Sequence, residues 1–127
     1  MSNNQKIRIL DVLLIESDWE TAHIIEKFCE IKGYSIEIAT TGQRGLDVLK
    51  KSIPKLILLS IMLPDIAGYE VCKQIKSNNN LKNILVFYFT TMPEKLVKYK
   101  VEETGADGYI LKPFSLSELS ELLESIV

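Results

Sequence analysis

Four short polar stretches each follow directly on an apolar run: Glu16-Ser17-Asp18, Ser60, Thr90-Thr91 and Lys112-Pro113. Brought together, Glu16 and Asp18 could help hold a divalent cation. Lys112 with the hydroxyls of Ser60 and Thr90 could grip an anion. Ser60 is the one candidate nucleophile in the set, and a serine hydroxyl is not ionised at neutral pH, so it needs a base beside it. A carboxylate, with a pKa of about 4, needs none. The set contains no histidine, and Lys112 is a cation. Glu16 could serve as base only if it were not first drawn to Lys112. Elsewhere, Cys29 and Cys72 lie far apart at no metal-ligand spacing and read as small buried hydrophobes, and His23 stands alone.

The elements that must position these groups alternate five times along the chain. Strands are expected over Asp11–Glu16, Ser35–Ala39, Lys55–Ser60, Ile84–Phe89 and Gly108–Leu111. The runs Leu56-Ile-Leu-Leu and Ile84-Leu-Val-Phe-Tyr-Phe are continuously apolar, as strands covered on both faces must be. Between them fall helix signals. Ser17-x-x-Glu20 reads as a capping box, with Gly33 as the stop; Thr40-x-x-Gln43 opens a second helix that must end before Pro54. A third helix runs through Tyr69, Val71, Cys72 and Ile75. Pro93 suits the first turn of a fourth, closed by Gly105, and Ser115-x-x-Glu118 starts the last.

Five strands joined by single right-handed crossovers make an open α/β sheet, doubly wound and parallel, of flavodoxin-like (βα)5 type. Its expected strand order is 2-1-3-4-5. Such a sheet places its site at the carboxyl ends of the first and third strands, where the chain order reverses. That is where Glu16, Ser17, Asp18 and Ser60 fall, with Thr90 and Lys112 arriving from the fourth and fifth strands. At 127 residues the chain allows one domain, over residues 11–127, with residues 1–10 as a tail or an extension of the first strand. Hydrophobic residues at 46% and charged residues at 25% fit a globular protein, and no apolar run spans a bilayer. The polar N-terminus carries no signal-peptide core, so a cytoplasmic location without membrane attachment is expected. A net charge of −2 with no basic stripe argues against nucleic acid as a partner.

The motifs Val12-Leu-Leu-Ile-Glu-Ser-Asp18, Leu56-Ile-Leu-Leu-Ser-Ile-Met-Leu-Pro64 with Gly68, Phe89-Thr90 and Gly105-Ala-Asp-Gly-Tyr-Ile-Leu-Lys-Pro-Phe114 occur in this order. Together they resemble the receiver domain of two-component response regulators over nearly the whole chain. The resemblance implies that the family's Mg²⁺-holding acidic pair falls on the positions of Glu16 and Ser17, with Asp18 beside them. It implies phosphoryl acceptance at position 60, a switch threonine at Thr90, a phosphoryl-binding lysine at Lys112 and a switch aromatic at Tyr109. The family's acceptor is an aspartate, and this chain has Ser60. The pattern is therefore that of a pseudo-receiver. Replacing two acidic positions by Ser17 and Ser60 leaves Glu16, Asp18 and the Met62 carbonyl as weak Mg²⁺ candidates, so no cofactor is expected. Thr91 and Ala67 depart from the family pattern as well. Lys112 would most simply pair with Glu16.

Three functions are compatible with this pattern to different degrees. The first is a stand-alone, non-enzymatic interaction module, independent of aspartyl phosphorylation, that acts on other signalling proteins. Its surface would be the fourth helix, fifth strand and fifth helix, with Lys95, Lys98, Tyr99 and Lys100 on the fourth helix and Glu118, Glu121 and Glu124 on the fifth. Such opposite charges suit a two-fold homodimer. The second is phosphoryl acceptance on a non-standard residue, Asp65 or Asp18. The third, flavin binding, is opposed by the acidic, bulky loop Glu16-Ser17-Asp18-Trp19, which would repel a phosphate.

Overall fold

The computed structural model describes residues 6–126. Strands β1 (Arg8–Ile15), β2 (Ile36–Ala39), β3 (Ser52–Leu59), β4 (Leu85–Thr90) and β5 (Gly108–Leu111) alternate with five helices. These are α1 (Trp19–Lys32), α2 (Gly42–Val48), α3 (Gly68–Lys76), α4 (Glu94–Thr104) and α5 (Leu116–Ile126). All strands pair in parallel in the order β2-β1-β3-β4-β5. The expected architecture is thus observed.

Strand pleating splits the core into two layers. Leu13, Ile15, Ile57, Leu59, Val86 and Tyr88 face α2, α3 and α4, meeting Val71, Cys72, Ile75 and Val97. Val12, Leu14, Leu56, Leu58, Phe89 and Ile110 face α1 and α5, meeting Ala22, Ile25, Cys29, Leu119 and Leu123. Cys29 and Cys72 are consequently buried as free thiols on opposite sides of the sheet.

The boundaries differ from expectation at several points, each for a local reason. Strand β1 begins at Arg8, because Arg8, Ile9 and Leu10 pair with Ser52, Ile53 and Pro54 of β3. The first strand is therefore lengthened from within residues 1–10; residues 1–5 lie outside the described part. Pro54 is tolerated in a central strand because pairing with β4 starts only at Leu56 and Leu85. The cap of α1 is Asp18, not Ser17: its carboxylate accepts the Thr21 N–H at 3.3 Å. Thr41, not Thr40, caps α2 through Arg44 N at 3.1 Å. Pro93 stands one residue before α4 rather than in its first turn. Ser115 does cap α5, accepting from Glu118 N at 3.0 Å. Gly33 and Gly105 end α1 and α4 with left-handed φ of 83° and 82°, the conformation that favours glycine at a helix stop. Among the described residues no helix is long and apolar enough to cross a membrane.

Candidate functional site

The carboxyl ends of β1, β3, β4 and β5 converge on a small cavity of about 50 Å³. Its lining includes Glu16, Ser60, Met62, Thr90, Thr91 and Lys112. The sheet dictates this meeting: Ser60 N donates to Ile15 O at 2.9 Å, and Lys112 N donates to Thr90 O at 2.8 Å, so each residue leaves its strand beside the next. Gly68 closes the loop after β3. A Cβ there would stand 2.2 Å from Ser60 O, so only glycine lets α3 start so close to the site.

Glu16 and Ser60 are each only 3% exposed, and every polar atom of the pair has a partner. The Ser60 hydroxyl donates to Glu16 Oε1 at 2.7 Å, and Lys112 Nζ donates to the same oxygen. Lys112 Nζ also lies 3.5 Å from Ser60 Oγ. Glu16 Oε2 accepts the Asp18 N–H at 3.0 Å. A partly buried ammonium against the buried carboxylate is what makes that carboxylate tolerable away from water. The ammonium additionally sits 4.6 Å from the centre of the Phe89 ring, a cation–π contact. Thr90 is buried at the rim, and its Oγ1 accepts the Met92 N–H at 3.1 Å.

The other carboxylates near this end are turned elsewhere. Asp18 faces its own helix: the Thr21 hydroxyl and N–H, together with the charge of Lys112, hold its carboxyl below the usual range. Asp65 accepts Gly42 N at 2.8 Å and Gln43 N at 2.9 Å, and those backbone donors likewise lower it. It tethers the loop after β3 to the start of α2 and does not line the cavity. Ser17 is exposed and makes no cap.

Residues 12–124 match the model of the response regulator receiver domain. The chain belongs to that family. "Probable transcriptional regulator ycf27" of Porphyra purpurea is 31% identical over 124 residues, covering 98% of this chain and 49% of that protein. "Response regulator ArlR" of Staphylococcus saprophyticus is 35% identical over 108 residues, covering 85% of this chain and 48% of its own length. A putative response regulator from Chloroflexus aurantiacus superposes with a TM-score of 0.85 at 26% identity, covering 95% of this chain and 98% of that one. The receiver thus spans about half the length of the curated relatives it matches.

Of the residues expected at a partner surface, Lys95, Lys98 and Tyr99 of α4 and Glu118, Glu121 and Glu124 of α5 are all exposed. Lys100 is not part of that face. Its ammonium pairs with Glu103 at 2.9 Å and lies 4.4 Å from the centre of the Tyr69 ring, which turns it toward α3. Tyr109 is half-buried, and its hydroxyl donates to Glu94 Oε2 at 2.6 Å; that neighbouring carboxylate pushes the phenol pKa up. Trp19 and His23 stack on the surface of α1, their centroids 5.8 Å apart. Sequence reasoning missed the partnership of Tyr109 with Glu94 and the capping role of Asp65. It also passed over Tyr88, whose hydroxyl sits inside the core; a single phenol within an otherwise apolar strand was the available signal.

Proposed function

We propose that this receiver is a pseudo-receiver: an interaction module that works without aspartyl phosphorylation. The observation carrying this reading is that Lys112, Glu16 and Ser60 satisfy one another in the buried pocket. A phosphoryl acceptor must offer an electron pair to phosphorus. The Ser60 hydroxyl has its hydrogen on Glu16, but Glu16 is simultaneously held by a lysine ammonium, which weakens it as a base. The acceptor alternatives are disfavoured by position. Asp65 is spent on two backbone N–H groups, and Asp18 on the cap of α1.

The family's metal fits these residues poorly. Mg²⁺ takes near-octahedral oxygen ligands, commonly with one or two free carboxylates. Here one Glu16 oxygen carries Lys112 and Ser60, the other carries Asp18 N–H, and the Asp18 carboxylate points into α1. Among the described residues no three His, Cys, Asp or Glu side chains converge on a metal position. Mg²⁺ is therefore not expected to bind tightly.

The partners in this reading are other signalling proteins of a cytoplasmic two-component network, without nucleic acid or membrane. The contact surface is α4, β5 and α5, where Lys95 and Lys98 lie on one helix and Glu118 and Glu121 on the next. A two-fold homodimer would pair them across its axis. Intact-mass analysis after incubation with a small phosphodonor, with and without Mg²⁺, tests the central claim. The mass of the native chain should stay unchanged, with Ser60→Asp run alongside. A donor-dependent gain of one phosphoryl group in the native chain would overturn the reading.

A further inference from the structure

At the amino ends of the strands, opposite the pocket, the sheet carries an overhang. Strand β2 joins β1 only at Val12, and β4 joins β3 only at Leu56. Residues 8–10 of β1 and 52–54 of β3 therefore run on as a two-stranded ribbon. Ile7 and Ile9, two residues apart, fall on one face of it and are 52% and 64% exposed. Beside Ile9 lies a hollow of about 470 Å³, walled by Ile9, Ile53, Ile84, Leu85 and Ile126. A second hollow, of about 230 Å³, opens at the end of the ribbon and is lined by Lys6, Ile7, Lys50 and Lys51.

Cations ring these apolar walls. Lys55 lines the first hollow, Lys6, Lys50 and Lys51 the second, and Arg8 stands between them on the ribbon. Arg8 reaches Glu37 at 3.3 Å, Lys50 reaches Asp47 at 3.2 Å and Lys55 reaches Asp11 at 3.5 Å. All three cations are exposed, and such pairs hold their members weakly. Lys6 and Lys51 are in no ion pair among the described residues. The whole chain has a net charge of −2, so this end reverses the sign of the molecule. Lysines and a proline along an open strand edge also discourage strand pairing. That purpose needs no hollow and leaves the exposure of Ile7 and Ile9 without a reason.

Recess and charge together select the occupant. A bilayer is flat: it would rest on Ile7 and Ile9 and leave the recessed walls out of contact. A nucleic-acid backbone would use the cations alone and meet Glu37, Asp47 and Asp11 among them. A peptide whose carboxylates flank large apolar side chains matches both features, its side chains entering the hollow while its carboxylates meet Lys6, Lys50 and Lys51. We propose that the ribbon end and its two hollows form a docking site for an acidic, apolar-bearing segment of a partner protein. The site is separate from the α4 and α5 surface and holds whether or not Ser60 ever accepts a phosphoryl group.

Amide chemical-shift mapping by NMR on the full chain tests it, with a short synthetic peptide of alternating leucine and glutamate as the probe. The peptide should shift the amides of residues 7–9, 50–53, 84–85 and 126, while those of α4 stay in place. Lys50→Glu combined with Lys51→Glu should weaken binding about tenfold, the effect of reversing two exposed charge contacts. Ile9→Ser should weaken it by a similar factor through the lost apolar contact. All three positions are exposed, so the urea midpoint should stay near native in each variant. The matching peptide of leucine and lysine should not bind. Absence of shifts at millimolar glutamate peptide would overturn the proposal. So would shifts centred on α4, equal binding of the lysine peptide, or native affinity in the lysine double variant. Phosphatidylglycerol vesicles or a DNA duplex moving these amides where the glutamate peptide does not would overturn it in favour of a membrane or nucleic-acid surface.

Discussion

The carboxylates at the strand ends fall into two regions that treat the same chemical group in opposite ways. Glu16 is buried and answers to residues far along the chain, Ser60 and Lys112. Asp18 and Asp65, at the exposed rim, answer to donors at the first turns of α1 and α2: the Thr21 hydroxyl and N–H for Asp18, two backbone N–H groups for Asp65. Burial raises the stakes of pairing, since a lone charge in the pocket has no water to fall back on, whereas a rim carboxylate always does. The difference teaches how a site can keep its acidic residues and still offer no free carboxylate. Each one is engaged, but only the inner one is engaged by an ion.

The largest effect that sharpens this contrast comes from removing the inner cation. Lys112→Met leaves Glu16 buried without its partner, and urea unfolding should show a loss of about 3 kcal/mol. Glu16→Gln combined with Lys112→Met should recover much of that loss, because the pair is worth little beyond mutual neutralisation. If the single variant unfolded at the native midpoint, the inner and outer carboxylates would be equivalent and the contrast would fail. A smaller effect is expected at Ser60→Ala. It deletes one hydrogen bond to a charged group while the Lys112–Glu16 pair stays, so unfolding should show a loss of about 1.5 kcal/mol.

The smallest effect belongs to the rim. Asp65 is held below its usual range in the folded chain, so protons bind the unfolded chain more readily. Its contribution is therefore complete above the unfolded value of about 4 and disappears as pH falls through the lower folded value. Asp65→Asn should unfold slightly earlier than the native chain in a urea series at neutral pH. The two midpoints should merge in strong acid. A gap that widened with acidity would reverse the assigned sign.

What could be read in advance divides along the same line. Strand order, the number of elements and the helix stops at Gly33 and Gly105 follow from periodicity and from local backbone chemistry, and they stand in the structure. Caps slipped by one residue, from Ser17 to Asp18 and from Thr40 to Thr41, because neighbouring oxygen-bearing side chains compete for the same donors and sequence pattern does not rank them. The convergence of Glu16, Ser60, Thr90 and Lys112 was legible because parallel topology brings strand ends together whatever the side chains are. The engagements of Asp65 with α2, Tyr109 with Glu94 and Tyr88 with Thr104 were not legible. Each depends on the side chain's direction and on the approach of a second element, which no periodicity encodes.

Cys29 and Cys72 mark the two layers of the core separately, one thiol beneath α1 and one beneath α3. Burial and the nearby Asp11 carboxylate push the Cys29 thiol up to about 12, so it reacts only after its layer has opened to solvent. An alkylating reagent applied to the native chain, followed by peptide mapping, therefore times the opening of each side of the sheet independently. Equal labelling rates would mean that the layers come apart as one body, and unequal rates would say which side leaves first.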